Sequence, residues 1–178
     1  NNVPRTNSEI DYKTSTLRNA MVSGPNDKVD IEKRATIKVS SNTRKIKTYG
    51  DVNCIANDNL ADILTIVSVG ENKQHKIHID VSLDNITSLS RINLSGFNMY
   101  GAKITLYLGE TEDSLFAREE FSVTNEASWV FNEKKVGYIR IEISKLILND
   151  DITSVVSISN LSLYNDKFES TSIFSSNV

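Results

Sequence analysis

Along most of the chain, apolar and polar residues alternate one by one. In VGYIRIEISK (residues 136–145), Ile139, Ile141 and Ile143 fall on one side and Arg140 and Glu142 on the other. That period of two is the pattern of a strand with one buried face. HKIHIDVSL repeats it, with Ile77, Ile79, Val81 and Leu83 opposite His78, Asp80 and Ser82. Further strands are predicted over 36–40, 44–49, 64–69, 90–97, 102–110, 115–123, 128–131 and 154–164, with a turn at Ser41, Asn42 and Thr43. The total is about nine or ten strands, near the spacing of 8–12 residues that marks a sandwich or barrel. No stretch sustains a helical period, and no internal repeat points to a propeller or solenoid. The pattern therefore predicts an all-β fold, an antiparallel β-sandwich. Trp129, the single tryptophan, alternates with Phe131, and both are expected to point inward as core anchors.

The alternation is bounded by polar chain. Residues 1–30 hold both prolines, Pro4 and Pro25, and a turn-forming run at Ser23–Asp27. The organisation expected is an extended N-terminal arm or linker over 1–30, a sandwich domain over 31–168 and a C-terminal tail over 169–178. A start on Asn1 rather than Met adds the expectation of a processed product or a piece of a longer polypeptide.

Composition narrows the function classes. The 178 residues are 39% hydrophobic and 24% charged, with a formal net charge of -3, a globular composition without the basic excess of a nucleic-acid-binding domain. The one short basic run, Arg44–Lys47, belongs on the solvent face of a strand. No apolar run reaches the roughly 18–20 residues of a membrane-spanning helix, so no membrane insertion is expected. A single cysteine, Cys54, leaves no internal disulfide, and the core must hold by packing.

The order of features from Ala56 to Tyr164 carries more than a strand count. ANDNLADILTI is followed by KIHIDVSLDNITSLSRINLSGF, KITLYLGETEDSLF, WVFNEKKVGYIRIEISK and ISNLSLY. An Asp-containing loop (Asp58) precedes a hydrophobic-Asp-hydrophobic strand (Ile79, Asp80, Val81). Leu89-Ser90-Arg91-Ile92, Leu106-Tyr107, the late Tyr138-Ile139-Arg140-Ile141-Glu142 strand and the closing Leu161-Ser162-Leu163-Tyr164 come in sequence after it. This order resembles the galactose-binding-like jelly-roll superfamily, which includes discoidin and coagulation-factor C-type domains and many carbohydrate-binding modules. The resemblance implies a jelly roll in which VGYIRIEISK is the penultimate core strand. Asn59 stands where the family has a glycine, and the tryptophan that commonly follows is absent.

Candidate chemistry is sparse. His75 and His78 are three residues apart and point to opposite faces of a strand, so they form no metal pair, and no nucleophile, metalloprotease or phosphate-loop motif occurs. The expectation is a protein that is not an enzyme. Asn57, Asp58, Asn59 and Asp62 crowd hard oxygen donors into one loop, which suits Ca²⁺, and the resemblance implies a structural calcium near that loop. The alternative is an Asx-rich turn whose side chains bond their own backbone. A ligand patch is expected on loops at one end of the sandwich: Phe97, Asn98 and Tyr100 of GFNMYG, with Asn72 and Gln74, and the 110–113 loop close by. Aromatic faces beside amides are what a sugar needs; Phe97 or Met99 closing the core is the alternative.

Two functions from different classes follow. The first is a non-catalytic structural or assembly module of a larger particle, of the kind found in a phage virion (tail, baseplate or head-associated), with protein subunits as partners through the terminal arms. The other is a carbohydrate-binding module that recognises a cell-surface glycan. Both place the protein in a virion or at an extracellular or cell surface.

Overall fold

The structure, a computed structural model, describes residues 27–71, 74–122 and 125–166. The chain divides into two units. Residues 28–164 form the β-domain described below. Residues 1–27 with 165–178 form the other, of which only 27, 165 and 166 fall within the described set. The proposed terminal arms thus lie outside the described residues for most of their length.

After a two-residue strand β1 (Asp27–Lys28) and one helical turn α1 (Ile31–Arg34), the chain forms β2 (Ala35–Ser41) and β3 (Lys45–Tyr49). A 3-10 turn (Val52–Ala56) leads to β4 (Leu64–Val69), then β5 (Ile77–Phe97), β6 (Lys103–Gly109), β7 (Phe116–Ser122), β8 (Glu126–Ser144) and β9 (Thr153–Asn165). The hydrogen-bonded order is β3-β4-β9-β5-β8-β6-β7, with β2 on the free edge of β5. The ladders of β2 with β5, β3 with β4, β4 with β9, β5 with β8, β5 with β9, β6 with β7 and β6 with β8 are antiparallel.

The path folds into two layers because β5 and β8 each serve both. The first half of β5 pairs with β2 and with the second half of β8. The second half of β5 pairs with β9 and with the first half of β8. One layer is therefore β2-β5-β8-β6-β7 and the other β3-β4-β9-β5-β8. Between the halves the register slips at Ser82/Thr87 and again at Leu89/Arg91, and such bulges bend a strand and raise its twist. Arg34 clamps the irregular stretch: Nε donates to Asp84 Oδ1 at 3.1 Å, and Nη2 to Asn85 Oδ1 at 2.9 Å and Thr87 Oγ1 at 2.7 Å.

The alternation read from the sequence sets the interior. Ile77, Ile79, Val81, Ile139, Ile141 and Ile143 from one layer, and Leu64, Ile66, Ile92, Val156, Ile158 and Leu163 from the other, have no exposed surface. They join one cluster with Trp129 and Phe131, so both predicted aromatic anchors point inward. Each such side chain contributes about 1.5–3 kcal/mol by leaving water. The fold is the predicted all-β antiparallel jelly-roll sandwich. One expectation is corrected. Residues 75–83 with 90–97, and 128–131 with 136–145, are two long strands and not four short ones, because the polar residues between them keep extended geometry around the bend.

Candidate functional site

The register defines the two ends of the sandwich. Ser41, Ile77, Ile143 and Ile104 lie in one cross-strand row, and Val69 pairs with both Lys45 and Thr153. The far end therefore gathers the β2–β3, β4–β5, β5–β6 and β8–β9 connections. The near end carries residues 50–63, the bends of β5 and β8, and the β6–β7 connection. It also holds Lys28 and Tyr164, because Val29 N–H donates to Leu163 O at 2.9 Å and Tyr164 pairs with Arg91.

GFNMYG is at the far end. Met99 is fully buried and plugs the core, while Phe97 is 48% and Tyr100 71% exposed. Met99, not Phe97, thus closes this end. Asn98 adopts a left-handed conformation (φ 61°), as does Gly101 (φ 81°), which lets the chain drop Met99 inward while Asn98 and Tyr100 stay in solvent. Asn125 holds the turn: its Oδ1 accepts from Met99 N–H at 3.2 Å and its backbone O from Gly96 N–H at 2.9 Å. Gly96 is required here, since a Cβ would stand 2.2 Å from Ser157 O.

Gln74 reaches the same end by another connection. Asn42 Nδ2 donates to Gln74 O at 3.0 Å, and Asn42 Oδ1 accepts from Lys76 N–H at 2.8 Å, so one amide side chain extends the ladder past β2. His75 anchors the segment from below. It is 1% exposed, with Nδ1 2.8 Å from Ser154 Oγ and Nε2 3.0 Å from Gly70 O. A carbonyl accepts only, so Nε2 carries the proton and Nδ1 accepts from the Ser154 hydroxyl when the ring is neutral. Asn72 lies outside the described residues. The sequence reading missed Asn42, Asn125 and His75 as the parts that position this end; for the two asparagines, an Asn in or beside a turn was the only signal. The 110–113 loop, expected nearby, belongs to the near end, because Gly109 pairs with Tyr138 beyond Ile139.

The β8–β9 connection lies between these turns. It carries the left-handed residues Lys145 (φ 56°), Asp150 (φ 53°) and Asp151 (φ 61°) and the 78% exposed Ile147. Among the described residues, four of the five non-glycine left-handed positions therefore sit at the far end.

The Asx-rich loop is at the near end. Asn57 Nδ2 donates to Asp62 Oδ2 at 2.8 Å, Asn57 Oδ1 accepts from Asn59 N–H at 2.9 Å, and Asn59 Oδ1 accepts from Ala61 N–H at 3.1 Å. Asp58 pairs with Lys28. It is Asp58 (φ 63°), not Asn59, that takes the left-handed conformation. With an amide N–H aimed at Asp62 and an ammonium at Asp58, the donors turn toward one another and present no converging oxygen set. Among the described residues no three His, Cys, Asp or Glu gather as a metal cluster. The loop is thus arranged as the Asx-rich turn, its side chains bonded to one another and to its own backbone.

Arg140 and Glu142 face outward on the β2-side layer. Arg140 Nε and Nη2 donate to Asp80 Oδ1 at 2.9 Å and Oδ2 at 2.7 Å, Tyr138 Oη donates to Asp80 Oδ2 at 2.6 Å, and His78 Nε2 is 2.8 Å from Glu142 Oε1. Both charges thus pair across strands, and Asp80 is only 4% exposed, so its end of the pair is not solvated. Burial by itself pushes the Asp80 carboxyl up; the hydrogen bonds from Arg140 and Tyr138 and the Arg140 charge outweigh it and hold the group below the usual carboxylate range. Burial first, then the bond to Asp80, pushes the Tyr138 phenol up to about 12. These bonds tie β5 to β8 across the layer.

No protein-family model and no curated protein matches the sequence. Solved structures do match. The CpGH89CBM32-5 module of Clostridium perfringens, in complex with GalNAc-β-1,3-galactose, aligns with a TM-score of 0.57 at 11% identity, covering 76% of this chain and 99% of that one. The family 32 CBM of Clostridium perfringens NanJ, in complex with galactose, gives 0.54 at 12% identity, covering 79% and 100%. Chitosan-binding module 1 of a chitosanase/glucanase from Paenibacillus sp. IK-5 gives 0.55 at 11% identity, covering 77% and 99%. These likenesses show that the chain has the galactose-binding-like jelly-roll fold. Among the described residues no helix is long and apolar enough to cross a membrane.

Proposed function

We infer that the protein is a non-catalytic carbohydrate-binding module, working at an extracellular or cell surface, with Phe97, Asn98 and Tyr100 at the far end as its ligand patch. The observation that carries this is the exposed Tyr100 and Phe97 flanking Asn98 on a turn fixed by a buried Met99. Aromatic faces take up the apolar faces of sugar rings, and the amide exchanges hydrogen bonds with hydroxyls. The neighbours bound to galactose and to GalNAc-β-1,3-galactose have the same fold.

The assembly-module reading rests on the terminal arms, and nothing in the comparisons supports a virion role. A glycan array probed with the intact chain and with Tyr100→Ala and Asn98→Ala tests the proposal. Specific binding that drops about tenfold or more in each variant is expected. Absence of binding to every glycan, or binding indifferent to both substitutions, overturns it.

A further inference from the structure

The outward face of the β3-β4-β9-β5-β8 layer carries a second feature. Tyr49 pairs with Thr65, Thr65 with Ser157 and Ser157 with Phe97, so the four side chains form one row across β3, β4, β9 and β5. Thr65 Oγ1 and Ser157 Oγ lie 2.9 Å apart, confirming that the row faces one way. Leu64, Ile66 and Ile158, the alternate positions, are buried. The row thus has an aromatic ring at each end, 52% exposed at Tyr49 and 48% at Phe97, with the half-buried Thr65 and the buried Ser157 between. Three strand spacings separate the ends, about 14 Å, more than one sugar ring reaches.

Charge on this face is one-sided. Lys45 and Lys47 share the outward side of β3 with Tyr49, two residues apart each time, and the Lys47 ammonium stands 5.0 Å from the centre of the Tyr49 ring. Neither lysine makes an ion pair among the described residues. β3, β4, β9 and the second half of β5 carry no carboxylate, and Glu126 and the exposed Glu133 lie on β8 at the opposite edge; Arg91 stacks on Tyr164. On a chain of net charge -3, this edge is a cationic strip beside an aromatic and hydroxyl row.

We propose that the row Tyr49–Thr65–Ser157–Phe97, flanked by Lys45 and Lys47, binds an extended acidic polysaccharide that runs from the far-end patch across the sheet. The inference rests on the carbohydrate-binding reading above and names its ligand class: internal segments of an anionic chain, not a terminal neutral sugar. Phe97 is shared by both surfaces, and Tyr100 belongs to the far-end patch alone. Sugar rings lie on Phe97 and Tyr49, the half-buried Thr65 hydroxyl faces the intervening sugars, and carboxylates or sulfates sit against the two ammonium groups.

The test is an array of immobilised oligosaccharides of two to eight sugars, neutral, uronate-containing and sulfated, probed with the intact chain, Lys45→Gln/Lys47→Gln, Tyr49→Ala and Tyr100→Ala. The proposal expects acidic members longer than a disaccharide to bind best. It expects the double lysine variant and Tyr49→Ala each to weaken them about tenfold, and binding to fall as salt rises. Circular dichroism of the variants separates lost binding from lost fold. Binding confined to neutral chain ends, unmoved by the lysine and Tyr49 changes but lost in Tyr100→Ala, overturns this inference and leaves the carbohydrate-binding reading standing. No binding by any member overturns both.

Discussion

Replacing Asp80 by alanine tests how the β2-side layer is held. The substitution leaves Arg140 without its two-pronged acceptor and Tyr138 Oη without its 2.6 Å acceptor. Removing one partner of a fully buried ion pair costs about 3–5 kcal/mol. The Arg140 side chain is 28% exposed against 5% for Asp80, so water takes up part of the orphaned charge, and we expect about 3 kcal/mol. For a chain of this size that lowers Tm by about 6–12 °C. The assay is urea and thermal unfolding of wild type, Asp80→Ala, Arg140→Met and the double variant. The double variant should be no less stable than Asp80→Ala, because removing the arginine relieves the unpaired charge, with a coupling of about 1–3 kcal/mol. The pH dependence has a definite sign. The folded state holds the Asp80 carboxyl below its ordinary value, so its contribution is complete above about pH 4 and is lost as pH falls through the lower folded value. The gap between wild type and Asp80→Ala should narrow as the pH is taken below about 4. A Tm change under about 2 °C, or strict additivity in the cycle, refutes the reasoning.

The Tyr138 phenol, raised to about 12, is favoured in its neutral form by folding. Its contribution is present below about pH 10 and lost as pH climbs toward the folded value; an ultraviolet titration should show one tyrosine ionising after the rest, and Tyr138→Phe should abolish that late step. His75→Ala strands the Ser154 hydroxyl and Gly70 carbonyl in a buried site and should cost about 2–4 kcal/mol in urea unfolding, with faster hydrogen exchange near Gly70. Gly96→Ala forces a Cβ against Ser157 O and should cost about 2–3 kcal/mol, read as a lower thermal midpoint. Because the 57–62 loop spends its donors on itself, EDTA should leave Tm unchanged within about 1 °C, by differential scanning fluorimetry with and without added Ca²⁺.

The alternation of apolar and polar positions by itself determined the strand class, the buried face and most of the core. Ile77–Val81 and Ile139–Ile143 could sit inward in only one way, since a one-residue slip would expose every isoleucine. Met99, Asn98 and Tyr100 were legible as a group, though not the division of labour among them. The tertiary structure decided what depends on residues distant in the chain. It showed that β5 and β8 run through the bend into both layers, that Asn42 and Asn125 hold the far-end turns, and that Asp80 is buried beneath Arg140. The cross-strand row from Tyr49 to Phe97 joins four segments up to about a hundred residues apart, on the usual strand spacing. Local periodicity records which way a side chain faces. Which other side chains it meets there is set by strand order and register, and those exist only once the sheet has closed.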